Sequence, residues 1–339
     1  MVRGRHDVQS FKFRTGSAAG WIRWLLLVVL LLLGLAAIVY FSVERLCNSS
    51  DRQRFLDLRG EFLHSEESVI ETTDDDKILK VILEDSRELQ VIGHLKAPAP
   101  PTGRHPAFLL LGGVRTGRHS IDYIPPTQGV VLFALDYPYE GKKSGLSVWE
   151  FVTALPAMRR GIIRTVPAAM LAIDYLLNRP DVDPDRIVLI SGSVGALFAP
   201  AIAATDTRIA ALVLLFGGGD IQSLLAHIAE EDLGWFTRPG AWLGNALTCP
   251  VEPLHYIGDV SPRPVFMLNG TEDLGIPEHN TLLLFEAARE PKTLRWIEAG
   301  HVVLSDESFH KQVTQELVNW LIEQELVRPS SFVGSSIVE

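Results

Sequence analysis

Arg186-Ile-Val-Leu-Ile-Ser191-Gly192-Ser193-Val194-Gly195-Ala196 is the stretch whose reading decides the fold. Residues 187–190 form an apolar run of strand length. A small-residue turn follows with Ser193 at its apex, and residues 196–204 have the composition of a helix. A serine on such a turn is lifted clear of the sheet edge, and the N–H of Val194 opens the next helix beside it. The turn therefore presents a hydroxyl nucleophile together with one donor for a developing oxyanion.

Outward from this turn, residues 107–111 and 130–135 are continuous apolar runs bounded by glycine and proline, as expected of strands buried on both faces. Helical spacing over 163–177 stops before Asn178-Arg179-Pro180. Further strands are predicted at 210–216, 265–268 and 294–297, and helices at 278–288 and 309–325. Ahead of them, 68–72, 78–83 and 89–95 are short β-like runs. Asp74-Asp75-Asp76 and Asp85-Ser86 separate them, which predicts an antiparallel meander. Ala97-Pro98-Ala99-Pro100-Pro101 reads as a stiff, extended linker. Strands alternating with helices demand a mostly parallel sheet with right-handed crossovers. Ligands of such sheets bind at the carboxyl ends of the strands.

Four loops after predicted strands carry suggestive chemistry. They are Gly112-Gly113-Val114, Asp136-Tyr137-Pro138-Tyr139-Glu140-Gly141-Lys142-Lys143-Ser144, Asn269-Gly270-Thr271-Glu272-Asp273 and Glu298-Ala299-Gly300-His301. With these, the chain resembles the α/β-hydrolase superfamily, and within it the dienelactone-hydrolase-like and esterase-like serine hydrolases. The resemblance rests on Val182-Asp183-Pro184-Asp185-Arg186-Ile187, on Ser191-Gly192-Ser193-Val194-Gly195-Ala196, and on the Asp273 and His301 loops. It spans residues 66–325 and implies the α/β-hydrolase fold, a mostly parallel central sheet flanked by helices. The chain order Ser193, Asp273, His301 is the one this fold uses for nucleophile, acid and base.

The roles follow from chemical need. A serine hydroxyl is a poor nucleophile at neutral pH, and His301 is the base that takes its proton and later returns it to the leaving group. Asp273 holds the histidine tautomer, and the N–H groups of Val194 and Gly113 stabilise the oxyanion. The usual pattern has glycine where Ser191 stands, at a position that wants a small side chain. Asp220 and Glu272 are rivals to Asp273 as the acid, and Val114 is the rival to Gly113. His279 and His310 lie near His301 in sequence, but only His301 directly follows a strand. Asp136-Tyr137-Pro138 reads as a structural turn. No cluster has metal-ligand spacing, so neither a metal nor a cofactor is expected.

A formal net charge of -10 argues against a nucleic-acid footprint. Cys47 and Cys249 are too few for a disulfide scaffold and stand open between one bridge and two thiols. Residues 25–43 contain no charged side chain, long enough to cross a hydrocarbon core, with Trp21, Trp24 and Tyr40 placed for its two interfaces. Arg3, Arg5, Lys12, Arg14 and Arg23 precede it with only Asp7 opposing. That bias predicts a single-pass signal anchor over 21–43, uncleaved in preference to the alternative of a cleaved signal peptide, with a basic cytoplasmic N-terminus (1–20) and the bulk of the protein outside. The expected organisation continues with a juxtamembrane connector (44–65), helical near 52–62, then a hydrolase domain (66–326) and a tail (327–339). Within the domain, 217–262 is a candidate lid. Its Leu224, Leu225, Ile228, Leu233, Trp235, Phe236 and Trp242 either cover an acyl pocket or pack against the last strands. The expected partners are a small-molecule acyl ester and the membrane, with no nucleic acid. The expected activity is ester hydrolysis through an acyl-enzyme. Alternatives on the same fold are thioester or amide cleavage, acyl transfer, and a catalytically silent binding domain.

Overall fold

The structure is a computed structural model that describes residues 18–331 except 48–49, 100–102, 114–115, 125–128, 140, 143–144, 146 and 303–305. It divides into two compact units, Met1–Cys47 and Asn48–Glu339. The first holds helix α1 (Ala18–Cys47). Its Trp21–Arg45 stretch has a mean hydropathy of 2.9 and no buried share, and among the described residues it is the one helix long and apolar enough to cross a membrane. Trp21 meets Trp24 edge-on near one end, and Tyr40 meets Phe41 near the other, where amphipathic rings suit membrane interfaces.

The second unit opens with α2 (Arg52–Leu58), whose first turn is capped by the Asp51 side chain accepting the Arg54 N–H. Phe55 is fully buried against Tyr256, so α2 contributes to the domain core although the sequence suggests a connector there. Next come β1 (Phe62–Thr72), β2 (Asp76–Asp85) and β3 (Gln90–Pro98), an antiparallel meander as expected. β1 starts at Phe62 rather than near residue 68. It is an edge strand and almost wholly exposed, so it lacks the apolar alternation that marks a strand in sequence.

The rest alternates. Strands β4 (His105–Leu111), β5 (Val131–Leu135), β6 (Val182–Gly192), β7 (Ala211–Leu215), β8 (Val265–Gly270) and β9 (Lys292–Ile297) run parallel to one another. The sheet order is β1-β2-β3-β5-β4-β6-β7-β8-β9, with β3 antiparallel to β5. Helices α3 (Val148–Leu177), α4 (Val194–Thr205), α5 (Ile221–Leu233), α6 (Thr237–Thr248), α7 (Glu278–Ala287) and α8 (Glu307–Glu323) complete the layers. A 3-10 helix, Gly117–Tyr123, lies between β4 and β5.

The period of two along each strand divides the core in two. Leu109 of β4, Leu189 of β6 and Met267 of β8 face α3 and α4. Phe108, Ile190 and Phe266 face the opposite way, toward α8. α3 begins at Val148, well before the 163–177 stretch that helical spacing predicts. Ser147 and Glu150 form a capping box that starts it, and Pro156 and Pro167 sit inside it. Those prolines interrupt the pattern that sequence reading relies on. Neither Cys47 nor Cys249 is a free thiol; both are disulfide-bonded.

Two histidines give the fold a pH dependence. Burial, then the neighbouring His119 and Arg118 charges, hold His94 below the usual imidazole range, against the opposing pull of Asp122 and Asp136. Burial alone does the same to His255. A lowered histidine pKa means that the unfolded chain takes up protons first on acidification. The resulting stability is fully present above the ordinary value of 6.5 and is lost as pH falls through the lower folded-state values. The melting temperature is expected to fall between pH 7.5 and pH 5.5, less steeply in a His94→Asn/His255→Asn variant. Equal slopes in calorimetric scans of the two proteins would overturn this account.

Candidate active site

The turn after β6 is built by close approach. A Cβ at position 195 would collide with the Leu111 carbonyl oxygen, so strand β4 and helix α4 meet there only because Gly195 has no side chain. Ser191, which stands where glycine is usual, is buried and donates its hydroxyl to the Val213 carbonyl at 2.8 Å. The extra oxygen is therefore satisfied by β7, and the departure is structurally mild. Ser193 sits at φ 52°, ψ -118°, a conformation that L-residues adopt only under constraint. Its N–H donates to Leu215 O at 2.9 Å, which pins the turn to β7.

The hydroxyl so presented meets His301. Ser193 Oγ lies 2.9 Å from His301 Nε2. On the other side of the ring, His301 Nδ1 lies 2.9 Å from Asp273 Oδ2 and 3.0 Å from Oδ1. The Asp273 side chain is only 1% exposed, so its charge depends on donors. Gly275 N–H and Ile276 N–H supply two more, at 2.7 and 2.9 Å from Oδ1. A carboxylate is acceptor-only, so Nδ1 carries the ring proton and Nε2 is free to accept from the serine. The loops bearing acid and base are tied together: Thr271 N–H donates to Ile297 O and Glu272 N–H to Ala299 O. Phe216, itself at φ 55°, packs edge-on against the His301 ring with centroids 6.1 Å apart.

The rival residues are placed elsewhere. Asp220 caps α5 by accepting the Ser223 N–H at 3.1 Å. Glu272 is exposed, His279 pairs with Ser223 Oγ at 3.2 Å, and His310 stacks on Tyr123. Val114 lies outside the described residues, as do Glu140, Lys143 and Ser144. Val194 is the first residue of α4, so its N–H is one of the helix donors without an intrahelical acceptor. Leu111 pairs with Ser191, which brings Gly112 and Gly113 alongside the turn. Among the described residues, no cluster of three or more His, Cys, Asp or Glu side chains is arranged to hold a metal.

Sequence reading undervalued several supporting residues. Tyr137, expected only to shape a turn, is half-buried and donates its hydroxyl to the Gly112 carbonyl, and desolvation of that hydroxyl pushes its pKa far up, so the donor is kept. Thr116 Oγ1 donates to Gly113 O at 3.0 Å. Arg118 pairs with Asp136 at 2.9 Å, fastening the 3-10 helix to the loop after β5. Glu252, in no motif, accepts the N–H groups of Asp220 and Ile221 and fixes the loop after β7; its own burial raises its pKa against those hydrogen bonds. Apart from the local Thr116 turn, these act through tertiary contacts that no short motif encodes.

Ser193 and His301 open on a cavity of about 440 Å³ between β4, β6, β7 and α8. None of its described lining residues comes from 217–262, so that segment does not cover it. α5 and α6 pair with each other, with Leu225 against Gly244. Ile228, Trp235 and Phe236 are exposed, and Leu224 is buried.

A mostly parallel sheet in this order, a serine turn after β6, and acid and histidine loops after β8 and β9 define the α/β-hydrolase fold. Solved structures agree on the fold. Acetyl xylan esterase 1 from a Thermoanaerobacterium species matches with TM-score 0.58 and 15% identity, covering 79% of this chain and 92% of that one. A cold-adapted esterase from an Arctic intertidal metagenomic library matches with TM-score 0.54 and 18% identity, covering 77% and 99%. By sequence, the uncharacterized protein YfhR of Escherichia coli O157:H7 is 26% identical over 204 residues, 58% of this chain and 62% of that protein. YfhR of Salmonella typhi is 30% identical over 186 residues, 52% and 56%. The matches thus span less than two thirds of these relatives. No family model matches the chain.

Proposed function

We propose that this chain is a serine hydrolase of carboxylic esters or related acyl compounds, tethered to a membrane by α1. The observation that carries the reading is the continuous Ser193 Oγ–His301 Nε2, His301 Nδ1–Asp273 relay at 2.9 Å per step. In this reading Ser193 Oγ attacks the acyl carbon while His301 Nε2 takes its proton, and the carbonyl oxygen becomes an oxyanion facing Val194 N–H and Gly113 N–H. Collapse breaks the bond to the leaving alcohol, which receives the proton from His301. Water then enters, loses a proton to Nε2 and attacks the acyl-serine, releasing the acid and restoring the hydroxyl. Asp273 stays ionised throughout and stabilises the transient imidazolium. The esterase names of the structural neighbours agree with this chemistry.

The hydropathy of Trp21–Arg45 supports an anchor. The basic residues ahead of it support a cytoplasmic N-terminus and an extracytoplasmic domain. Disulfide-bonded Cys47 and Cys249 agree with an oxidising compartment.

A fluorophosphonate probe tests the central assignment, because it labels only a serine activated by a base. The folded protein is expected to be labelled at Ser193, and heat-denatured protein and Ser193→Ala are not. Labelling no stronger than that of Ser193→Ala would overturn the hydrolase reading in favour of a silent binding domain.

A further inference from the structure

On the α8 face, the connection between β4 and β5 includes the seven-residue 3-10 helix Gly117–Tyr123. That 3-10 helix and α8 both contribute to the layer over this side of the sheet, Ile121 and Leu317 among the buried residues packed with Phe108 and Leu110. The cavity that begins at Ser193 lies in this layer. One wall is Phe108, Leu110 and Ile190 of the sheet, and the other is Val313, Leu317 and Val318 of α8.

Its depth follows from register. Phe108 pairs with Val188 three rungs below the Leu111–Ser191 pair, hence about 10 Å down the strand at ~3.3 Å per residue. On the facing wall, Phe309 to Val318 spans about 13 Å of helix at ~1.5 Å per residue. An extended alkyl chain advances ~1.25 Å per carbon, from ~1.5 Å bonds at ~111°, so about eight carbons fill this depth. No Asp, Glu, Lys or Arg is among the lining residues described. Phe108 and Val318, at the far end, are both buried. A polar group there would lose its hydration without a charged partner, whereas a methylene chain gains from every contact.

Resting on the reading of Ser193 as nucleophile, we propose that this cavity holds the acyl chain of the substrate, and that the substrate class is esters of straight, medium-length fatty acids. The acyl group is the part that stays through both half-reactions. The alcohol must leave and make room for water beside His301, which a cleft lined by buried apolar side chains such as Phe108 and Val318 does not suit. A substrate with an acetyl group leaves most of the cavity unused.

The test is a series of p-nitrophenyl esters from acetyl to dodecanoyl on the full-length chain in detergent. Each buried methylene is worth about fourfold, so kcat/KM is expected to rise at least ten-fold from acetyl to octanoyl and to fall past roughly ten carbons. Leu317→Trp is expected to move the optimum to shorter chains and Leu317→Ala to longer ones. If the tryptophan variant does not fold, the alanine variant and the wild-type series decide. Turnover of short esters with no preference for acyl length overturns this inference and leaves the hydrolase reading standing. The same holds if, in a second series of acetyl esters of graded alcohols, the length preference follows the alcohol. Failure of every ester, together with an unlabelled Ser193, instead defeats the hydrolase reading itself.

Discussion

Ser193→Ala is expected to lower kcat for an activated ester by about 10⁵-fold, within the range that loss of a serine nucleophile produces elsewhere. The substitution removes the oxygen that lies 2.9 Å from His301 Nε2. Without it no acyl-enzyme forms, and only water positioned by the oxyanion donors remains to react. Those donors are backbone groups of Val194 and Gly113 and survive the change, so a residual rate above solution hydrolysis is expected. The fold should not suffer. The Ser193 N–H bond to Leu215 O is a main-chain bond, and alanine at φ 52° is strained no more than serine. Steady-state kinetics and a melting curve on the same preparation check both halves. A variant keeping more than a hundredth of wild-type kcat would show that the nucleophile lies elsewhere.

Asp273→Asn is expected to cost about ten-thousand-fold in kcat with the backbone unchanged, as it does where an acid orients a catalytic histidine. The Asp273 carboxylate accepts from Gly275 N–H, Ile276 N–H and His301 Nδ1 at once. An amide has one acceptor oxygen, so its NH₂ must face a donor. If it faces the ring, the imidazole shifts to the tautomer with its proton on Nε2, and the base toward Ser193 is gone. Asp220→Asn serves as the contrast, because Asp220 caps α5 and its loss should alter kcat by less than about ten-fold. Comparable losses in the two variants would remove the assignment of Asp273.

Much of this was legible in the sequence. Buried parallel strands are continuous apolar runs, so β4, β5, β6, β7 and β8 stand out, and the ends of β6 and β8 locate the loops of Ser193 and Asp273, while His301 follows the half-buried β9 that meets them. What escaped has physical causes. β1 is an exposed edge without alternation, and α3 runs through Pro156 and Pro167. The choice between Asp273 and Asp220 depends on where β8 and β9 lie relative to β7, information that no local pattern holds. The apolar residues of 217–262 left a lid and ordinary packing both open, and the described lining of the cavity comes instead from the sheet, the 3-10 helix and α8. Composition tells how apolar a segment is, not which void it borders.

The positive φ angles at Ser193, Phe216 and Asp220 carry a consequence for how this protein can change. All three sit at the carboxyl ends of β6 and β7, so backbone strain is concentrated where the chemistry is proposed to occur. A glycine at 216 would relieve one of these conformations yet would strip the ring from His301. Heat tolerance and catalytic order therefore compete for the same few residues. Lineages or laboratory selections seeking a sturdier fold should accumulate changes on the outer strands and helix surfaces and leave this corner as it is.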